Sequence, residues 1–263
     1  MNDSRFLFVC LSLFVCASVN AGDFADSIET AHGKRAWYAQ QAVQAKVKVT
    51  FGGTTMIDGT MLFTPSVGRA RIDQADGTSI VFDGSRAWVS PASSPLEMAR
   101  FHVLTWPYFL AAPFKLNDPG TNLEPLGELP LQDTAHGAAR LSFDPGTGDA
   151  PDDWYILYRD PDNDRLAAMA YIVTYGKPVA QVREEPHAIV YEDFDTIDGV
   201  TVSTTWRFYH WSREKGPHGD PIGHVTLENV EFVKPGDQAF AKPEDAREDR
   251  LPQTADAPAK AGG

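Results

Sequence analysis

Val200-Thr201-Val202-Ser203-Thr204-Thr205-Trp206-Arg207-Phe208-Tyr209 alternates along its whole length. Val200, Val202, Thr204, Trp206 and Phe208 fall on one face, and Thr201, Ser203, Thr205, Arg207 and Tyr209 on the other. A period of two belongs to a strand with one buried face. Lys46-Val47-Lys48-Val49-Thr50-Phe51 repeats the pattern far upstream. Between and around these runs stand Asp58-Gly59, Asp76-Gly77, Asp83-Gly84 and Asp198-Gly199. Asp-Gly adopts positive φ at low cost, as tight hairpins require. The expectation is an antiparallel meander over Thr55–Thr64, Gly68–Gln74, Ser79–Phe82 and Arg86–Ser90. Further strands are expected at Ala138–Phe143, Asp153–Tyr158, Arg165–Tyr175, His187–Phe194 and Val200–Tyr209. His224–Val233 closes the series, with a bulge near Asn229 where its apolar phase slips.

Other stretches carry a different texture. Asp23–Val43 has a loose helical period broken at His32-Gly33, which predicts two short helices. Phe101 to Phe114 is crowded with apolar residues and holds Pro107 and Pro113. It is too apolar to face water and too rich in proline for a regular core helix, so a helical insert lying over the sheet is expected. Leu116–Leu131 reads as loop, Gly216–Pro221 as a hairpin tip, and residues 236–263 as a disordered tail. The fold class is then mainly β (α+β): a large curved antiparallel sheet or half-open β-barrel, with an N-terminal helix and a helical insert over its concave face. One domain spans 22–235.

The start of the chain bears on its location. Phe6–Ala17 is nearly all apolar, follows a short region with one Arg, and precedes small residues ending at Ala21. This is the pattern of a secretory signal peptide, residues 1–21, cut near Ala21. The apolar run is short of the roughly 20 residues a bilayer span needs. Cys10 and Cys16 are both in this leader. Val15 before Cys16 departs from the small residue that a lipidated cysteine requires. A mature chain would thus have neither thiolate nor disulfide chemistry, no membrane span, and a place in the periplasm or outside the cell.

Across 263 residues the formal charge is −13, and 43% of residues are hydrophobic. The first value opposes binding to phosphate backbones, so no nucleic-acid partner is expected. The second supports a folded core. Candidate catalytic chemistry is weak. No G-x-S-x-G elbow, P-loop or dinucleotide fingerprint occurs. Asp160-Pro161-Asp162-Asn163-Asp164 has calcium-loop spacing at first, but Arg165 replaces the glycine and Tyr171 the final glutamate; it reads better as a turn. His210, His218 and His224 flank one loop without a metal-ligand spacing. Glu184-Glu185, Glu192-Asp193 and Asp152-Asp153 are adjacent pairs, which on strands face opposite sides. Neither a catalytic residue nor a metal or cofactor site is expected.

Three segments carry a likeness: Phe82-Asp83-Gly84-Ser85-Arg86-Ala87-Trp88, Pro107-Tyr108-Phe109-Leu110-Ala111-Ala112-Pro113-Phe114-Lys115-Leu116, and Asp153-Trp154-Tyr155. With the element order, they resemble the LolA/LolB-like periplasmic lipoprotein-carrier superfamily over roughly Asp23 to Val233. The resemblance implies a half-closed β-barrel with helices at its mouth. It also implies an acyl or other apolar ligand and no cofactor. No family residue role maps onto a position here. The inserts Leu116–Leu131 and Ser212–Gly223 lengthen the chain beyond a minimal carrier.

The aromatic residues are the remaining candidates. Trp88, Trp106, Tyr108, Phe109, Phe114, Trp154, Trp206 and Phe208 form a candidate ligand-binding set, with ordinary core packing as the competing role for each. The expected function is noncatalytic binding or carriage of a hydrophobic small molecule or lipid, with Phe101–Phe114 as a lid. The alternatives are a filled scaffold that binds an envelope protein partner, and an unrecognised hydrolase.

Overall fold

The computed structural model describes residues 21–252. The expected signal peptide lies outside them except for Ala21, as do residues 253–263. The described residues begin with helices α1 (Ala21–His32) and α2 (Lys34–Tyr38). Strands β1 (Ala42–Phe51), β2 (Thr54–Phe63), β3 (Ala70–Gln74), β4 (Ser79–Phe82) and β5 (Ala87–Ser90) follow. Helix α3 (Ala99–Ala111) and one 3-10 turn (Ala112–Phe114) come next. Then come β6 (Thr121–Leu131), β7 (Thr134–Phe143), β8 (Tyr155–Arg159), β9 (Leu166–Tyr171), the single-turn α4 (Val179–Val182), β10 (His187–Ile197), β11 (Val200–Ser212), β12 (Gly216–Val233) and β13 (Arg247–Asp249).

The 13 strands of the described residues form one sheet in the order β13-β5-β4-β3-β2-β1-β12-β11-β10-β9-β8-β7-β6. Each neighbouring pair for which a register is defined is antiparallel. The order explains α3. After β5 the chain stands near one edge of the sheet, and β6 forms the opposite edge. Helix α3 is the traverse between them, and it crosses the concave face.

The alternating faces meet there. Val47 and Val49 of β1, Ile57 and Met61 of β2, Ile189 of β10, and Val202, Trp206 and Phe208 of β11 are buried in one core with Val103 and Phe109 of α3. A second, smaller core lies on the other face of the sheet, where Ala138, Tyr158, Ala168, Ala170 and Val190 pack with Trp154 and Trp211. The end of the β11–β12 hairpin bends onto this face. Trp211 Nε1 donates to Tyr158 Oη at 2.7 Å, and Gly216 is pressed against β6, where a Cβ would lie 2.0 Å from the Pro130 carbonyl oxygen.

Several expectations are corrected. Asp58-Gly59 is not a turn but the middle of β2; Gly52-Gly53, both at positive φ, turn the chain instead. Gly59 is needed where β3 comes unusually close to β2, since a Cβ there would sit 2.2 Å from the Asp73 carbonyl oxygen. The other three Asp-Gly pairs do connect consecutive strands. Leu116–Leu131 is mostly strand: β6 is an edge strand, which tolerates Pro125 and Pro130. Gly216–Pro221 is strand as well, paired with β11. The N-terminal helical segment ends at Tyr38, not Val43. The tail is ordered at least to Pro252, with Phe240 buried and β13 paired to β5. The bulge near Asn229 is present: Asn229 has φ 52, and the β1–β12 register shifts beside it.

The N-terminal helices close one end of the core. Gly33 breaks them at φ 81, and a Cβ there would meet the Gly199 carbonyl oxygen at 2.1 Å. His32 is fully buried. Its Nδ1 lies 2.8 Å from the Thr201 carbonyl, and its Nε2 accepts from the Leu166 amide at 3.0 Å. One neutral imidazole thus ties α1 to both β11 and β9. Trp37 stacks on Phe114 at 4.2 Å and donates to the Pro65 carbonyl at 3.0 Å.

Burial holds His32 at about 4, with the Thr201 bond opposing and Arg165 adding to the fall. The unfolded chain takes up this proton more readily than the folded one. His32 therefore contributes fully above about pH 6.5, and the contribution is lost as pH falls toward 4. The loss should be about 3 kcal/mol. Urea unfolding of wild type and His32→Gln between pH 7 and pH 4 checks this. The variant should be less stable at pH 7, and its stability should fall less steeply, which isolates His32 from the other titrating groups.

Candidate functional site

One 13-residue helix covers the concave face. It is held firmly at its N-terminus. Met98 precedes it in the left-handed region at φ 53, and the first-turn amide of Arg100 donates to Asp249 Oδ2 at 2.7 Å. The cap thus comes from β13, almost 150 residues away in sequence. The Arg100 guanidinium grips Asp149 with two bonds of 2.6 and 2.9 Å. It also donates to the Ser85 carbonyl and lies over the Phe82 ring. Arg247 bonds the carbonyls of Ser94 and Leu96 on the segment leading into α3.

Farther along, the ties are aromatic. Pro107 removes one helical donor. Trp106 packs edge-on to Phe208 at 6.5 Å, and Phe109 lies 5.3 Å from Tyr171. Tyr191 Oη donates to the Phe109 carbonyl at 3.0 Å. Trp106 Nε1 donates to His102 Nδ1 at 3.2 Å, and burial holds that imidazole neutral, at about 4.

A cavity opens on each side of the helix. The first, about 390 Å³, includes Leu104, Tyr108, Phe143, Asp153, Tyr155 and Val173 in its wall. The second, about 470 Å³, includes Phe51, Met56, His102, Trp106, Tyr171 and His187. Phe101, Thr105 and Phe109, one stripe of α3, and Val173 line both. These volumes fall in the range of small-molecule sites. Each wall is mostly apolar with a few polar groups.

The charged groups around the first cavity are tied. Lys115 bonds Asp118, and Asp149 bonds Arg100. Asp153 Oδ1 accepts from the Thr174 amide and hydroxyl, both at 2.7 Å. Burial pushes Asp153 up to about 6, against the two Thr174 bonds that lower it.

Of the eight aromatic candidates, Trp106, Tyr108 and Phe109 line the cavities. Phe208 is fully buried behind Trp106 and Phe109. Trp206 and Phe114 are core residues that line neither cavity. Trp154 packs on the smaller core. Trp88 donates to Asp83 at 2.8 Å and lies under Lys242 of the tail. Strand parity separates the neighbours Trp154 and Tyr155, and the wall residue is Tyr155. Phe101, Leu104 and Thr105 lie in the expected lid but outside the aromatic set, and Phe143, Tyr171 and Val173 belong to neither. The signal that finds the α3 members is the i, i+4, i+8 spacing of Phe101, Thr105 and Phe109.

The other candidate motifs fall elsewhere. Asp160 Oδ1 accepts from the Asp162 and Asn163 amides, so Asp160–Asp164 is the β8–β9 turn. His210 stands opposite His218 across β11 and β12, whereas His224 stands opposite Arg207 and Thr50, so the three do not converge. No described helix is long and apolar enough to cross a membrane.

The tail cap on α3 is open to test. Asp249→Ala should lower stability by about 1 kcal/mol. It should also speed hydrogen exchange in the first turn of α3, with Asp249→Asn recovering most of both effects.

No protein-family model matches the sequence, and no curated protein matches it. Solved structures do match. A LolA superfamily protein from Nitrosomonas europaea superposes with a TM-score of 0.54 at 12% identity, over 86% of this chain and 99% of that one. A Vibrio parahaemolyticus domain named for outer membrane lipoprotein sorting gives 0.51 at 8% identity, over 84% and 97%. A DUF1329 family protein from Desulfovibrio piger gives 0.50 at 13% identity, over 84% and 96%. At these identities the likeness is one of fold: the chain has the curved sheet and covering helices of the LolA superfamily and lipoprotein-sorting structures.

Proposed function

We propose that this protein is a noncatalytic binding or carrier protein of the cell envelope for an apolar, acyl-bearing ligand. The observation that carries the reading is the pair of apolar cavities separated only by α3. A flexible chain entering from either side meets the same stripe, Phe101, Thr105 and Phe109. The helix is suited to act as a lid. Its N-terminus is held by an ion pair and a cap, and its middle by aromatic contacts that an acyl chain can replace. The carrier fold of the similar structures supports the same class of cargo.

Binding fits the site better than turnover. Lys115, Arg100, Asp118, Asp149 and Asp153 all have partners within the protein. The one hydroxyl among these partners, that of Thr174, shares Asp153 Oδ1 with its own backbone amide and is buried outside the cavity wall, where no substrate in the cavity would meet it. A leader at 1–21, cleaved near Ala21, would deliver the chain to the periplasm or the exterior.

The test is direct. Native mass spectrometry of protein from its own envelope should show an acyl-bearing adduct that is released on unfolding. The purified protein should also take up an environment-sensitive apolar dye. Thr105→Trp places an indole where the two cavities meet. It should weaken dye binding by at least about tenfold while leaving the unfolding midpoint nearly unchanged, because Thr105 is only half-buried. A bare protein that takes up neither dye nor lipid would end this reading.

A further inference from the structure

We propose that the cavity between α3 and β8 selects a ligand with an uncharged carbonyl head, an acyl ester or amide, through the hydroxyls of Tyr108 and Tyr155. This rests on the carrier reading and narrows its ligand class.

The two phenol rings lie 5.7 Å apart in the wall of the 390 Å³ cavity. Tyr155 is only 7% exposed. Among the described residues neither hydroxyl has a hydrogen-bond partner, whereas Tyr191 close by donates to the Phe109 carbonyl. No fully buried side-chain oxygen or nitrogen of the described residues is unpartnered. The Tyr108 and Tyr155 hydroxyls therefore open onto the cavity and do not end inside packed protein. Burial raises both phenols above their ordinary range, so each remains a donor at any physiological pH. A ligand that displaces water from these hydroxyls must supply an acceptor in its place, or the hydrogen bond each made to water is lost.

Charge decides which acceptor. A free carboxylate head would enter a wall that contains Asp118, Asp149 and Asp153. The cation of that wall, Lys115, is bound to Asp118, and the neighbouring Arg100 is bound to Asp149. Asp153 has no cationic partner, only Thr174. An anion beside it would be repelled in a poorly solvated space. An ester or amide carbonyl accepts from the same hydroxyls without that cost. The apolar side chains of Leu104, Phe109, Phe143 and Val173 are placed for the acyl chain that follows.

The experiment is displacement of a bound apolar dye by laurate, methyl laurate and dodecane at about pH 8, on wild type, Tyr108→Phe/Tyr155→Phe and Asp153→Asn. Methyl laurate should displace the dye at a concentration at least about tenfold below either of the others. The double Phe variant retains both rings. It should lose the preference for ester over alkane and still bind the dye. Asp153→Asn should selectively improve laurate. Equal potency of the three ligands, or a preference for laurate, would overturn the proposal while dye binding left the carrier reading intact. An ester preference that survives in the double Phe variant would also overturn it. Failure of the dye itself to bind wild type would instead remove the carrier reading, and this proposal with it.

Discussion

The concave face of the sheet sets the terms for the rest of the molecule. Thirteen strands spaced at about 4.8 Å would span roughly 60 Å if flat, so the sheet must curl to enclose an apolar face. The middle of that face is covered by what the chain carries between β5 and β6. That connection contains one 13-residue helix, about 20 Å long and about 10 Å across with its side chains. Such a rod fills the middle of a trough but not its flanks. The α1–α2 pair closes one end through Trp37, Phe114 and His32. The space left on either side of α3 follows from this mismatch in size, before any detail of its side chains is considered.

The distribution of ties along α3 follows the same logic. A helix that crosses a sheet alone lacks neighbouring helices to fix its position. Here the N-terminal turn is fixed by strongly directional contacts from remote parts of the chain: Asp249 from the tail, Asp149 from the β7–β8 connection and Ser85 from the β4–β5 turn. The central part relies on contacts among rings, which depend weakly on angle and can be exchanged for other apolar groups. One end is therefore specified and the middle replaceable. The ordered tail has a structural role in this, because without Asp249 the first turn of α3 would lose its cap.

Period-two patterns made the sheet legible. The alternation of β1 and β11 placed Val47, Val49, Val202, Trp206 and Phe208 in the core, where they lie. Local chemistry misled where tertiary contact outweighed it. Gly59 has the look of a turn residue and serves the close approach of β3 to β2. Pro125 and Pro130 have the look of loop residues and sit in an edge strand whose outer side needs no donor. The Gly-Pro-rich start of β12 is strand because Gly216 must pass close to β6. The tail has no periodicity because a three-residue edge strand and a single buried Phe240 need none. The site was harder to read than the fold. Large aromatics serve core and cavity equally well, and only strand parity and helix phase tell them apart. Trp154 and Tyr155 differ by one position and face opposite sides, so that Trp154 packs on the smaller core and Tyr155 lines the cavity.

Identities of 8 to 13% over nearly the whole chain show how little of this fold depends on particular residues. Alternation, glycine at close approaches, and a helix long enough to cross the trough satisfy it, and many sequences meet those conditions. Fold therefore constrains the class of ligand only through the shape of the space beside α3. What distinguishes one ligand from another must lie in groups that the fold does not require. In the wall of the first cavity these are few. Leu104, Phe143 and Val173 serve any apolar chain. Tyr108 and Tyr155 are different, because Phe at either place would pack as well without turning a hydroxyl toward the cavity. A polar atom that packing does not need, facing a space that packing does not fill, is where the chemistry of a ligand is written into an otherwise generic scaffold.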